Sequence, residues 1–167
     1  LVDIIIKAIP AFSTTEIRLD VALDRETLEL STVAKLDEKT LAGIDYSGLI
    51  KSSLRDQFPQ VKKRKDKRQL YKLVSGGAEF DLRDRVLANP QLIGQQPLSI
   101  WVKADDDVDT FFKLQKVTSR ISEKQVGYID QLKLEERIRT SFNTTFFSQS
   151  DSREPEQAGI KGALLGS

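Results

Sequence analysis

The segment TEIRLDVAL alternates without a slip. Ile17, Leu19, Val21 and Leu23 fall on one face, while Glu16, Arg18 and Asp20 fall on the other. That period of two predicts a strand with one buried face. A second such run is PLSIWVKA, with Leu98, Ile100 and Val102 on one side and Trp101 on the other. A third is IRTSFNTTFF, where Ile138, Phe142 and Phe146 alternate with Arg139, Ser141, Asn143 and Thr145. Residues 24–38 are polar with scattered aliphatics, and read as a loop with a strand over 28–33.

Between these runs the apolar spacing changes to three and four, the helical period. DYSGLIKSSLRDQF places Ile50, Leu54 and Phe58 four apart with Leu49 alongside, and Pro59 fits its exit. KKRKDKRQLYKLVSGG predicts a second helix with Leu70, Leu73 and Val74 inward, and Gly76 and Gly77 as its C-cap or a break. AEFDLRDRVLANP predicts a third, with Leu82, Val86 and Leu87 inward and a stop at Asn89-Pro90. DDDVDTFFKLQ reads as a helix with aspartates at its positive end and Phe111 and Phe112 for packing. SEKQVGYIDQLKLEER opens with Ser122 and Gln125 at capping-box spacing, and Val126, Ile129 and Leu132 mark its buried side. The fold class is therefore α+β: a small antiparallel sheet with several helices packed on it.

Composition narrows the chemistry more than the fold. The chain has 167 residues, 39% hydrophobic and 31% charged, which fits one globular domain. Its net charge of +1 exerts no global pull on nucleic acid or anionic membranes. There is no Cys, hence no disulfide, thiolate ligand or thiol nucleophile. There is no His, which removes the commonest general base and every Ser–His triad. There is also no Met, and the chain begins at Leu1, so it is expected to be a segment of a longer protein. Both ends carry apolar stretches, LVDIIIKAIPAF and AGIKGALLGS. They are too short to span a membrane and read either as core elements or as the ends of longer hydrophobic helices.

Local charge offers a few candidates. Lys62, Lys63, Arg64, Lys65, Lys67 and Arg68 fill six of seven positions. With no aromatic interleaved, a solvated helix start is the plain reading and a partner-binding patch the functional one. Cations at a helix N-terminus oppose the macrodipole, which leaves room for a functional reason. Asp105, Asp107 and Asp109 begin like a calcium loop, but Thr110 replaces the required Gly and Lys116 the required Glu, so capping explains them better. Glu135–Glu136 and Asp81–Asp84 have charged neighbours and read as exposed faces. Neither SGG nor NPQLIG has phosphate-loop spacing. Asn143 starts a glycosylation sequon, informative only in a secreted eukaryotic chain. Bottom-up, no active site stands out.

FNTTFFSQSDSREPEQAGIKGALLGS, residues 142–167, resembles the segment leading into a membrane helix in the long-form permease subunit of phosphate ABC transporters. Further blocks agree in order: IPAF at 9–12, DYSGLIKSSLRDQFP at 45–59, RQLYKLVSGGAEFDLRDRVLANPQLIG at 68–94 and ADDDVDTFFK at 104–113. Lys161 departs from the pattern by placing a charge where the membrane helix would start. The resemblance implies an extracytoplasmic insertion between the first two membrane helices. Residues 1–9 would end the preceding helix, 10–157 form a periplasmic domain, and 158–167 open the next helix. Asp151, Ser152, Arg153, Glu154 and Pro155 would be the membrane-entry segment, and both ends of the domain would lie on one side. The resemblance implies a bacterial inner-membrane protein in phosphate import, with a second permease subunit, cytoplasmic ATPase subunits and a periplasmic phosphate-binding protein as partners. It implies no cofactor, catalysis or nucleic acid for this domain. An autonomous periplasmic module using the basic run for polyanions or an acidic partner is the alternative. A carboxylate-dependent enzyme ranks below both because His is absent.

Overall fold

The computed structural model describes residues 13–95 and 97–142. The chain divides into two compact units, Thr15–Arg139 and a second made of Leu1–Thr14 with Thr140–Ser167. The described elements run β1 (Ser13–Val21), α1 (Glu38–Ala42), α2 (Tyr46–Gln57), α3 (Arg64–Tyr71), α4 (Ala78–Ala88), a 3-10 turn (Pro90–Leu92), β2 (Leu98–Lys103), α5 (Asp106–Leu114), α6 (Glu123–Leu134) and β3 (Ile138–Phe142). The class is α+β, with the sheet in the order β2-β1-β3.

β1 is the central strand, and antiparallel β2 pairs with it from Glu16 opposite Lys103 to Val21 opposite Leu98. The alternation read from sequence holds: Ile17, Leu19, Val21 and Leu23 are all fully buried. They form one core with Leu54, Phe58, Leu70, Leu82, Val86, Ile129 and Leu132 from the helices. β3 runs antiparallel to β1, because Arg137 reaches Asp20 while Arg139 reaches Glu16. The helical periods also hold for α2, α4 and α5, and Ser122 and Gln125 form the full capping box of α6.

Two expectations are corrected. Residues 28–33 form no strand. The Asp24 carboxylate accepts from Thr27 N and Thr27 Oγ1, Leu28 N and Leu30 N bond back to Asp24 O and Arg25 O, and Glu29 takes φ 57°. This turn satisfies its own backbone and still buries Leu28 and Leu30. The second helix also ends sooner than its apolar residues suggest. It is capped by Lys72, and Leu73 and Val74 lie beyond it. Val74 instead bridges Ala104, Leu73 O accepts from Asp105 N, and Gly77 is the N-cap of α4. Both residues are buried as expected, but on extended chain. The short helix α1, N-capped by Asp37, begins where the stretch read as loop, 24–38, ends.

Candidate partner-binding surface

The basic run starts where Val61 tucks into the core and the chain turns into α3. Lys63 occupies the N-cap with extended dihedrals, and its side chain makes no capping bond. Lys62, Lys63, Arg64, Lys65 and Arg68 are exposed, and Lys67 is half-buried. Only Leu70 of α3 is buried. The one acid within the run, Asp66, turns away from these cations to meet Lys124 of α6 at 2.6 Å. α3 therefore sets Arg64 and Lys65 against its own positive dipole end without a side-chain cap, and Asp66 is the one favourable charge of its first turn.

Amides fasten this region to α6. Gln60 Nε2 donates to Gln131 Oε1 at 2.8 Å, and Gln131 Nε2 donates to Gln57 O at 3.3 Å. Gln57 also donates to Glu135. At the other end of α3, Ser122 Oγ donates to Gln69 Oε1 at 2.7 Å and Gln125 Nε2 to Gln69 O at 3.2 Å. A shallow, open depression of about 390 Å³ lies between α6 and the α2–α3 connection, lined by Gln60, Val61, Asp66, Lys124, Gly127, Tyr128 and Gln131. Tyr128 packs edge-on against Phe58, with ring centroids 5.3 Å apart. Burial, and then the nearby Asp66 charge, push its phenol above the ordinary tyrosine value against the opposing charge of Lys124.

Gly127 sits in mid-helix with nothing within 4 Å of where a Cβ would stand. No internal contact requires glycine there, and it weakens the helix by about 1 kcal/mol relative to alanine.

A second charged region lies on the sheet face that carries Glu16, Arg18 and Asp20. Arg139 Nε and Nη2 both reach Glu16 Oε2, at 3.0 and 2.9 Å, and its guanidinium stacks over Trp101 at 3.9 Å. Burial alone would raise the carboxyl of Asp20. Hydrogen bonds from Arg137 and Ser99, with the charges of Arg137 and Arg18, outweigh it and hold Asp20 below the usual value. Glu16 and Arg139, near the two ends of Thr15–Arg139, sit side by side on adjacent strands.

α5 is tied to the start of β1 by Thr15 N donating to Asp109 Oδ1 at 2.7 Å, and Arg120, just before α6, approaches Asp107. α6 runs for 12 residues, about 18 Å of helix. α3 lies antiparallel to α6, as the contacts 66–124 and 69–122 require. Its uncapped start therefore lies toward the C-terminal half of α6, where Gln60 meets Gln131.

The remaining candidates have structural roles. The Asp105 carboxylate caps α5 by accepting from Asp107 N at 2.9 Å, and Asp109 pairs with Lys113 at 2.9 Å. Among the described residues no three His, Cys, Asp or Glu side chains are gathered as metal ligands. Asp81, Asp84, Glu135 and Glu136 are exposed. Asn143, the segment Asp151, Ser152, Arg153, Glu154 and Pro155, and the boundaries at 9/10 and 157/158 lie outside the described residues. No described helix is long and apolar enough to cross a membrane. The sequence pattern exposes the cations but not the groove beside them. The available signal was Gly127 inside an otherwise capped, amphipathic helix.

No curated protein and no solved structure matches the chain. Residues 1–123, more than half of it, match the family described as a domain of unknown function (DUF3333). The match takes in β1, the basic run and α5, and it makes this chain a member of that family.

Proposed function

We propose that the chain is a non-catalytic, extracytoplasmic interaction domain of the permease subunit of a phosphate-importing ABC transporter. The adjacency of entry and exit supports this reading: on neighbouring strands near the two ends of Thr15–Arg139, the Arg139 guanidinium lies 2.9 Å from the Glu16 carboxylate. A domain inserted between two neighbouring membrane helices needs such an adjacency, because those helices stand about 10 Å apart. The ordered resemblance of residues 9–12, 45–59, 68–94, 104–113 and 142–167 to the long-form permeases supports it independently. Partners on this reading are a second permease subunit, cytoplasmic ATPase subunits acting through the parent chain, and a periplasmic phosphate-binding protein. The domain's part is contact rather than chemistry, since a chain with neither His nor Cys lacks the usual bases and nucleophiles.

The absence of cysteine makes the test direct. Glu26 is exposed, so Glu26→Cys in the full-length protein gives an accessible thiol in this domain. A membrane-impermeant maleimide should label it in intact cells with a permeabilised outer membrane. The gene should also encode apolar segments of about 20 residues on both sides. Labelling only after lysis, or no such flanking segments, overturns the proposal.

A further inference from the structure

β2 has a strand on one side only, since the sheet runs β2-β1-β3. Ala104 N donates to Thr15 O at 2.9 Å, in line with the β1–β2 register. Antiparallel pairing alternates, so Ile100 and Val102 turn their main-chain groups toward β1, while Ser99, Trp101 and Lys103 turn theirs outward. One end of that outer edge already holds a short antiparallel partner. Val74 bridges Ala104, and Ser75 N donates to Lys103 O at 2.9 Å. The chain then leaves the edge at Gly76 and Gly77 to begin α4. Among the described residues no main-chain group bonds Ser99 or Trp101 from that side. A cleft of about 280 Å³ opens there, lined by the consecutive residues 100–103 and faced by Asp81, Asp84 and Arg85 of α4.

We propose that this edge takes a short extended segment of a partner protein as an added strand, in line with Leu73–Ser75. The chemistry selects a polypeptide, because N–H and C=O groups recurring every two residues, about 7 Å apart, are matched by another main chain. The pairing of Leu73–Ser75 continues into the same row, so the added strand runs antiparallel to β2. A second copy of this chain fits poorly. Pro97 lacks an N–H at one end of the free stretch and Leu73–Ser75 fills the other, which leaves room for a few residues and not for a whole β2. A segment residue opposite Trp101 lies beside its indole, and the next one turns, like Ile100, to the helix side, where Asp81 and Asp84 outnumber Arg85. The occupant therefore sets a cation between apolar residues. The edge lies wholly within Thr15–Arg139 and is the same whether or not the parent protein is a permease.

The test uses the full chain and an acetylated, amidated Thr-Val-Lys-Val-Thr peptide. Trp101 is the chain's single tryptophan, so its emission should change as the peptide saturates the edge. In the free chain the Ser99 and Trp101 amides should exchange with solvent fast and those of Ile100 and Val102 slowly, and saturating peptide should slow Ser99 and Trp101 about tenfold. N-methylation of both peptide valines, whose N–H groups face β2, should abolish binding. N-methylation of the lysine, whose N–H faces away, should leave it within about twofold. Ser99→Pro removes an outward donor and spares the β1 ladder, so it should bind about tenfold more weakly than Ser99→Ala, a step of 1.4 kcal/mol. Asp81→Asn with Asp84→Asn should weaken binding about two- to fivefold. Equal binding of the two N-methylated peptides overturns the proposal, as does slow exchange of Ser99 and Trp101 in the free chain at every concentration. Protection of those amides that grows with chain concentration, without peptide, also overturns it and assigns the edge to a second copy.

Discussion

α2 and α3 follow one another in the chain and obey different constraints. α2 has 12 residues, an Asp45 cap whose carboxylate accepts from Gly48 N at 2.9 Å, and five buried residues. Its Tyr46 hydroxyl also donates to Leu41 O at 2.6 Å. α3 has eight residues, no side-chain cap, and Leu70 alone in the core. Local propensity, capping and packing agree in α2. In α3 the first turn lacks a side-chain cap, and Leu70, the Asp66–Lys124 pair, the Arg55–Tyr71 bond and the amide contacts to α6 hold it down. Where local rules are broken without compensation inside a fold, the reason is more often function than packing.

The largest way to test that contrast is Leu54→Ala. Leu54 is fully buried in α2, and its truncation should destabilise the domain by about 2–5 kcal/mol in urea unfolding. A loss below about 1 kcal/mol would mean that α2 does not organise the core.

Next in size come the two helix starts, which should respond in opposite directions. Asp45→Ala should lower stability by about 1 kcal/mol by removing the α2 cap. Lys63 already has N-cap dihedrals, φ −69° and ψ 138°, so Lys63→Asp should raise stability by about 0.5–1 kcal/mol. Denaturant midpoints of both variants decide it. If Lys63→Asp is destabilising, the native lysine has an internal partner and α3 is not frustrated.

How far the sequence reveals each region follows from the same contrast. The strands and α2 were legible because burial is periodic: Ile17, Leu19 and Val21 cannot exchange faces without exposing the core. The end of α3 was not legible, because Leu73 and Val74 are equally apolar in a helix or in extended chain. A long-range bridge from Val74 to Ala104 decides between them. The turn at residues 24–30 escapes the pattern for a local reason, since the Asp24 side chain offers its backbone an alternative to a ladder. The groove needed tertiary knowledge, because Gln60 and Gln131 are 71 residues apart. The cations were plain in the sequence, but the contacts of Asp66 and Gln69 with α6 were not.

A smaller effect tests the sheet. Asp20 has its pKa lowered chiefly through Arg137, so its ionised form stabilises the fold above its unfolded value near 3.9. That contribution is lost as pH falls through the lowered folded value. Asp20→Asn should therefore reduce stability at pH 7 and narrow its gap to wild type in acid. A gap unchanged between neutral and acid pH would show that the Arg137 contact is not coupled to protonation.

The smallest effect on folding should accompany the most informative effect on function. Lys62, Lys63 and Lys65 are exposed and Lys67 is only half-buried, so replacing all four with Gln should change unfolding free energy by about 0.5 kcal/mol or less. The sign should favour the variant, because the change removes cations from the positive end of α3. Leu54→Ala would damage uptake by removing folded protein, whereas this variant leaves the protein folded. On the proposed permease reading, charge steering would raise association rates more than it deepens affinity. Phosphate uptake by the full-length variant should then be slower at low ionic strength and converge with wild type as salt screens the field. Uptake equal to wild type at every salt concentration, with normal protein levels, would remove function as the reason for the uncapped start of α3.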